Sequence, residues 1–87
     1  MTRRSTIRET IEAMVAERGV GKTVCPSEVA RAIAGQDEKA WRLLMAPIRA
    51  EAVTMAGEGR LTIRRKGRVV DPSDFKGIYR IGLPRSR

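Results

Sequence analysis

Arg60, Arg64, Arg65, Lys66, Arg68 and Arg80 crowd the last third of an 87-residue chain. Guanidinium and ammonium groups at this density suit one chemistry above others, the neutralisation of phosphates on a polyanion. The charge is unevenly spread. Residues 1–59 carry nine Lys/Arg against eight Asp/Glu, and residues 60–87 carry nine against two, so +7 of the formal +8 belongs to one end. A solubilising surface is the plainer use of such charge. A local concentration of this kind favours a partner.

Other chemistries find little to work with. The chain has no histidine, which removes His-based triads, proton shuttles and histidine metal sites. A single cysteine, Cys25, allows neither an internal disulfide nor a thiolate zinc cluster. No cofactor or metal is expected. Ala16-Glu-Arg-Gly-Val-Gly-Lys-Thr23 fits a relaxed phosphate-loop pattern with alanine for the first glycine. That mechanism needs a buried strand before the loop and a long helix straight after Lys-Thr. An amphipathic helix precedes it here, and Val24-Cys25-Pro26 intervenes, so nucleotide binding is not expected. Glu9, Glu12, Glu17 and Glu28 read as capping and solvated carboxylates, and Asp71 and Asp74 as turn residues around Pro72. No enzyme is expected. No apolar run approaches a membrane span, and Met1-Thr2-Arg3-Arg4 does not open a signal peptide. A cytoplasmic protein that contacts no membrane is the expectation.

The elements that must position the cations follow from periodicity. Thr6 to about Arg18 reads as a helix, with Thr6 and Glu9 as a capping box and Ile7, Ile11, Met14 and Val15 on one face. Gly19 stops it. Thr23-Val24-Cys25 is a short strand. Pro26 to about Ala34 is a second helix, capped by Cys25, started by Pro26 and closed by Gly35, with Val29, Ala30 and Ile33 inward. A third helix runs from about Glu38 to Gly57 with Asp37 as its cap. Trp41, Leu44, Met45, Ile48, Ala52 and Met55 form its stripe, and Pro47 kinks or divides it. Leu61 and Ile63 alternate with Arg60, Thr62 and Arg64 in a half-buried strand. Arg65-Lys66-Gly67-Arg68 is a basic turn, and Val69-Val70 pairs back. Asp71-Pro72-Ser73-Asp74 turns again, Phe75 covers the base of the hairpin, and a last strand spans about Ile78 to Leu83. Arg85-Ser86-Arg87 reads as a frayed tail.

Helix, strand, helix, helix, strand, basic hairpin, strand is the order of a winged helix-turn-helix. The expectation is a single α+β domain with its core at about residues 5–84, three helices packed on a small antiparallel sheet. Gly21-Lys-Thr-Val-Cys-Pro-Ser-Glu-Val-Ala30, Trp41-Arg42, Met45-Ala-Pro-Ile-Arg49, Gly59-Arg-Leu61 and Lys66-Gly-Arg-Val-Val-Asp-Pro72 also resemble a bacterial family of short uncharacterised proteins, domain of unknown function 3253. The resemblance spans most of the chain and implies a winged-helix fold. It implies no activity.

Two functions compete. The first is duplex DNA binding, of the kind found in transcription regulators. Around the outer side of the third helix lie Ala50, Val53, Thr54 and Gly57, flanked by Arg49, Glu51 and Glu58. Only Arg49 and Thr54 there suit base reading, and the two glutamates would face phosphate. The wing is richer, with Arg60, Arg64, Arg65, Lys66, Arg68 and Arg80, and Ser27 at the start of the second helix adds a phosphate-facing N-terminus. The expected contact is wing-led, electrostatic and weakly sequence-selective. The second function is a protein-interaction or homodimerisation module that uses the small residues outside the third helix. No small-molecule substrate is expected.

Overall fold

The structure is a computed structural model and describes residues 2–84. Met1 and the tail expected at Arg85-Ser86-Arg87 lie outside the described residues. The chain is α+β. Helix α1 (Arg4–Arg18) leads to strand β1 (Thr23–Val24), helices α2 (Pro26–Ala34), α3 (Glu38–Arg42) and α4 (Met45–Gly57), then strands β2 (Thr62–Arg65), β3 (Arg68–Val70) and β4 (Arg80–Gly82). The four strands form one antiparallel sheet in the order β1-β4-β2-β3.

Helix α1 begins two residues earlier than its periodicity suggests, and no capping box forms. Arg3 is the cap residue, and Thr6 lies inside the helix, where its carbonyl accepts the Thr10 hydroxyl at 2.7 Å. The extra turn carries Arg4, and Arg4 and Arg8 both reach Glu51 of α4. An interhelix contact thus extends the helix past the point where local capping signals would start it. At α2 the local signals hold. The Glu28 carboxylate accepts the Cys25 N–H at 3.1 Å, and Pro26 takes the first position. β1 ends at Val24, because Cys25 is already the cap.

The expected third helix is two helices, so there are four and not three. The break falls at Leu43-Leu44, ahead of Pro47. The Leu44 N–H turns to Trp41 O at 3.0 Å, and the Ile48 N–H restarts the α pattern to Leu44 O at 2.8 Å. A proline ring clashes with the carbonyl four residues earlier, which here is Leu43. Pro47 itself is the third residue of α4, where its missing N–H has no partner to lose. The apolar stripe survives the break. Ile48, Ala52 and Met55 are buried, and Trp41, Leu44 and Met45 pack against them.

The core lies between the helices and one sheet face. Val24, Ile81, Ile63 and Val70 occupy a continuous row across the sheet, since Val24 pairs with Ile81, Ile81 with Ile63 and Ile63 with Val70. Ile7, Ile11 and Val15 of α1 and Val29 and Ala30 of α2 join that cluster. Enclosing a large aliphatic side chain is worth about 2 kcal/mol. Pairing also sets the outer face. Arg80 pairs with Arg64 and Arg64 with Val69, so these three stand side by side on the surface away from the core. β2 runs one residue further than Leu61 and Ile63 indicate, to Arg65, and β4 is shorter than expected, Arg80–Gly82. Residues before Arg80 belong to a loop held by two buried aromatics, Phe75 and Tyr79, whose rings meet edge-on at 5.3 Å.

Candidate functional site

The β2–β3 turn carries the densest charge. Arg65 pairs with Arg68 across it, leaving Lys66 and Gly67 as a two-residue loop with φ of 51° and 80°. Positive φ at both positions is the signature of a type I′ turn, which matches the twist of the strands it joins. Lys66 is the only non-glycine residue at positive φ among the described residues. The left-handed region costs a lysine about 1 kcal/mol, where asparagine or glycine would sit at less cost. A cation is held at the tip despite that cost.

Arg64, Arg65, Lys66 and Arg80 line a shallow open cleft of about 500 Å³, closed on its far side by Gly77 and Ile78. Each arginine is placed by neutral acceptors. Arg64 donates to the Thr62 hydroxyl and to Leu83 O, both at 3.0 Å, and lies flat over Gly82. A side chain at 82 would press into that guanidinium, so the glycine is what lets Arg64 lie down. Arg65 Nε donates to Ile78 O at 2.9 Å. Arg80 donates to the Thr23 hydroxyl and stands 3.9 Å from Glu28, the limit of ion pairing. Glu28 is held below its ordinary value by the Cys25 N–H, against the pull of burial, and by the Arg18 guanidinium. Among the described residues no carboxylate pairs with Arg64, Arg65, Lys66 or Arg68. The arginines' bonds to carbonyls and hydroxyls fix their position and leave their charge uncancelled.

Ser27 belongs to a neighbouring cleft of about 450 Å³ that shares Gly77 and Ile78 with the first and adds Cys25, Met45 and Tyr79. Its hydroxyl lies 3.0 Å from the Cys25 sulfur. The Tyr79 hydroxyl is enclosed with no hydrogen-bond partner among the described residues, and burial pushes it up to about 12.

Three of the sequence-selected residues sit elsewhere. Arg60 pairs with Glu12 and Glu58, each at 3.2 Å, on the α1 side. Arg49 stacks 4.1 Å over the Phe75 ring and donates to Phe75 O at 3.0 Å, which ties α4 to the loop before β4. Thr54 is exposed on α4, with its hydroxyl donated to Ala50 O at 3.1 Å. The outer side of α4 differs from expectation in another respect. Glu51 does not face out. It is 3% exposed and accepts from Arg4 at 2.8 Å and Arg8 at 2.7 Å. Burial pushes its carboxyl up, and the two guanidiniums outweigh that and hold it below its ordinary value. Glu58 likewise pairs with Arg8 at 2.9 Å. Val53 is half-buried against the core. The helical wheel misplaced Glu51 because it assumed apolar residues alone mark the inward side. The early cations Arg4 and Arg8, one helical turn apart, were the available signal for a buried acidic partner. Ile78, exposed between two buried aromatics, carries no sequence signal, because strand alternation assigns it no role.

Among the described residues no cluster of three or more metal-ligating side chains occurs, and no helix is long and apolar enough to cross a membrane. Residues 4–84 match the family described as protein of unknown function (DUF3253), and the chain belongs to that family. No curated protein matches the chain.

Proposed function

We propose that this member of the DUF3253 family is a winged-helix protein that grips duplex DNA with its hairpin, by electrostatic contact with little sequence selectivity. The order β1-β4-β2, with a hairpin extending from β2 after the last helix, supports the winged-helix reading. Strand β3 and the loop before β4 enlarge the wing beyond a simple two-strand turn. The observation that carries the function is the group Arg64, Arg65, Lys66 and Arg68, the first two held by carbonyl and hydroxyl oxygens and none of the four in ion-pair contact with a carboxylate among the described residues. Lys66 adds to it, because a strained backbone position kept for a cation points to use.

The rest of the surface favours duplex over single strands. Single-strand binders stack bases on exposed aromatics. Here Phe75 and Tyr79 are buried, and Trp41 is half-buried beneath Arg31, 5.3 Å from its ring centroid. Helix α4 offers Pro47, Ala50, Thr54 and Gly57 outward, a poor set for base edges. Contact therefore rests on phosphates and groove shape. Salt-titrated binding to a random duplex, to single-stranded DNA and to RNA tests this. The duplex is expected to bind most tightly, with log affinity falling by about 0.9 per phosphate contact against log salt. No duplex binding at ~50 mM salt contradicts the reading.

A second reading, a protein-interaction module, has one observation behind it. Leu43 is 78% exposed at the α3–α4 break, beside an apolar cleft lined by Ala34, Ala40, Leu44 and Pro47. A concentration-dependent mass in solution that Leu43→Ser abolishes supports it, and a monomer at all concentrations counts against homodimerisation.

A further inference from the structure

We infer that Ile78 is a wedge that enters the minor groove and opens a base step, so that the duplex is bent where the cleft grips it. This inference rests on the duplex-binding reading above. Ile78 is 87% exposed, the most exposed of the large apolar residues among the described residues. It is also firmly presented. Phe75 and Tyr79 on either side are buried, Arg49 clamps Phe75 from α4, and Arg65 holds the Ile78 carbonyl at 2.9 Å. Gly77 supplies the turn, with φ of 83°, and its missing side chain leaves room for the Arg65 guanidinium, 3.0 Å from where a Cβ would stand. A flexible loop could turn its isoleucine inward. This one is pinned outward.

The surroundings name the occupant. Ile78 is the ridge between two clefts, and the larger is bordered by Arg64, Arg65, Lys66 and Arg80. An apolar tip alone suits many partners. An apolar tip ringed on one side by cations, of which Arg64, Arg65 and Lys66 meet no carboxylate among the described residues, suits a groove whose walls are phosphate and whose floor is stacked bases. Minor-groove proteins insert side chains such as isoleucine between base steps, with Arg or Lys alongside, and kink the duplex by roughly 20–90°. Pyrimidine–purine steps unstack most readily, so TA-containing duplexes should be preferred over A-tracts.

The test is one titration read two ways, on a duplex carrying a dye pair at its ends. Anisotropy reports binding and energy transfer reports bending. The wild type is expected to raise energy transfer on binding and to favour the TA duplex over an A-tract duplex several-fold. Ile78→Ser is expected to bind with an unchanged salt slope, with no rise in energy transfer and no TA preference. Ile78→Met is expected to restore both. Since the side chain is exposed, neither substitution should unfold the protein, and circular dichroism verifies this. Wild-type binding without bending, or bending by Ile78→Ser equal to wild type, overturns the wedge and leaves duplex binding standing. Absence of any wild-type binding overturns both.

Discussion

Two faces of this small protein hold arginines in opposite ways. On the α1–α4 face, Arg4, Arg8 and Arg60 meet Glu51, Glu58 and Glu12, and cation answers carboxylate. On the hairpin, Arg64 and Arg65 meet carbonyl and hydroxyl oxygens, while Lys66 and Arg68 make no ion pair among the described residues. The same residue types stabilise the fold in one place and project a field in the other. Formal charge therefore says little about function until each cation's partner is known. Arg60 shows this best, since it belongs to the basic third by sequence and to the paired face by structure.

The comparison is broken most forcefully at the hairpin. Replacing Arg65, Lys66 and Arg68 together by glutamate should weaken duplex binding at least ~100-fold, as three phosphate contacts become repulsions. The melting temperature should fall by only a few degrees, because one hydrogen bond, Arg65 to Ile78 O, is lost and no carboxylate in ion-pair contact loses a partner. Electrophoretic shift and thermal melting on the same preparation check both halves. On the other face the effects reverse. Glu51→Ala should cost about 2 kcal/mol in urea unfolding, less than a fully enclosed pair because Arg4 and Arg8 keep access to water. Duplex affinity of the folded protein should hardly change.

Acid should act on the paired carboxylates, two on that face and Glu28 at the start of α2. Glu51, Glu58 and Glu28 are held below the ordinary 4.5, so the unfolded chain binds more protons than the native one as pH drops. Their contribution is full above that ordinary value and is lost as pH falls through the native ones. Urea midpoints should stay level from neutral pH down to about 5 and then decline, more shallowly in Glu51→Ala. Asp71, near the hairpin, is also held low, by the Ser73 hydroxyl and N–H, and adds to the decline.

The smallest expected effect is the most discriminating. Lys66→Asn removes one charge and relieves a left-handed lysine. It should raise stability by about 0.5–1 kcal/mol and lower the salt slope by about 0.9. Stability and binding moving in opposite directions marks a residue kept for its contact.

Much of this architecture was legible in the sequence, and the reasons are physical. Helical stripes such as Ile7-Ile11-Val15 and the Cys25-Pro26-Glu28 start of α2 are local signals, and the structure obeys them. The Lys66-Gly67 turn and the pairing of Val69-Val70 were equally local. What escaped depended on residues far apart. Helix α1 starts at Arg4, which pairs with Glu51 across the helix interface, and although Arg4 and Arg8 one turn apart hint at an acidic partner, nothing local says that it is Glu51. Pro47 signals a disruption in the sequence, but its clash acts on Leu43, so the break lies ahead of it. The cations were found, but their sorting into paired and unpaired was hidden, since Glu12 and Arg60 stand 48 residues apart. Ile78 gains meaning only once Phe75, Tyr79 and Arg65 are seen to hold it outward.

The central claim is that unmatched charge, not total charge, makes the contact. Two double variants of equal net charge test it most directly, Lys66→Ser with Arg68→Ser against Arg4→Ser with Arg60→Ser. The salt dependence of duplex binding is measured for each beside the wild type. The hairpin pair is expected to lower the log–log slope by about 1.8 and the carboxylate-paired pair to leave it unchanged. Equal changes in the two, or a wild-type affinity that does not respond to salt, would contradict the account.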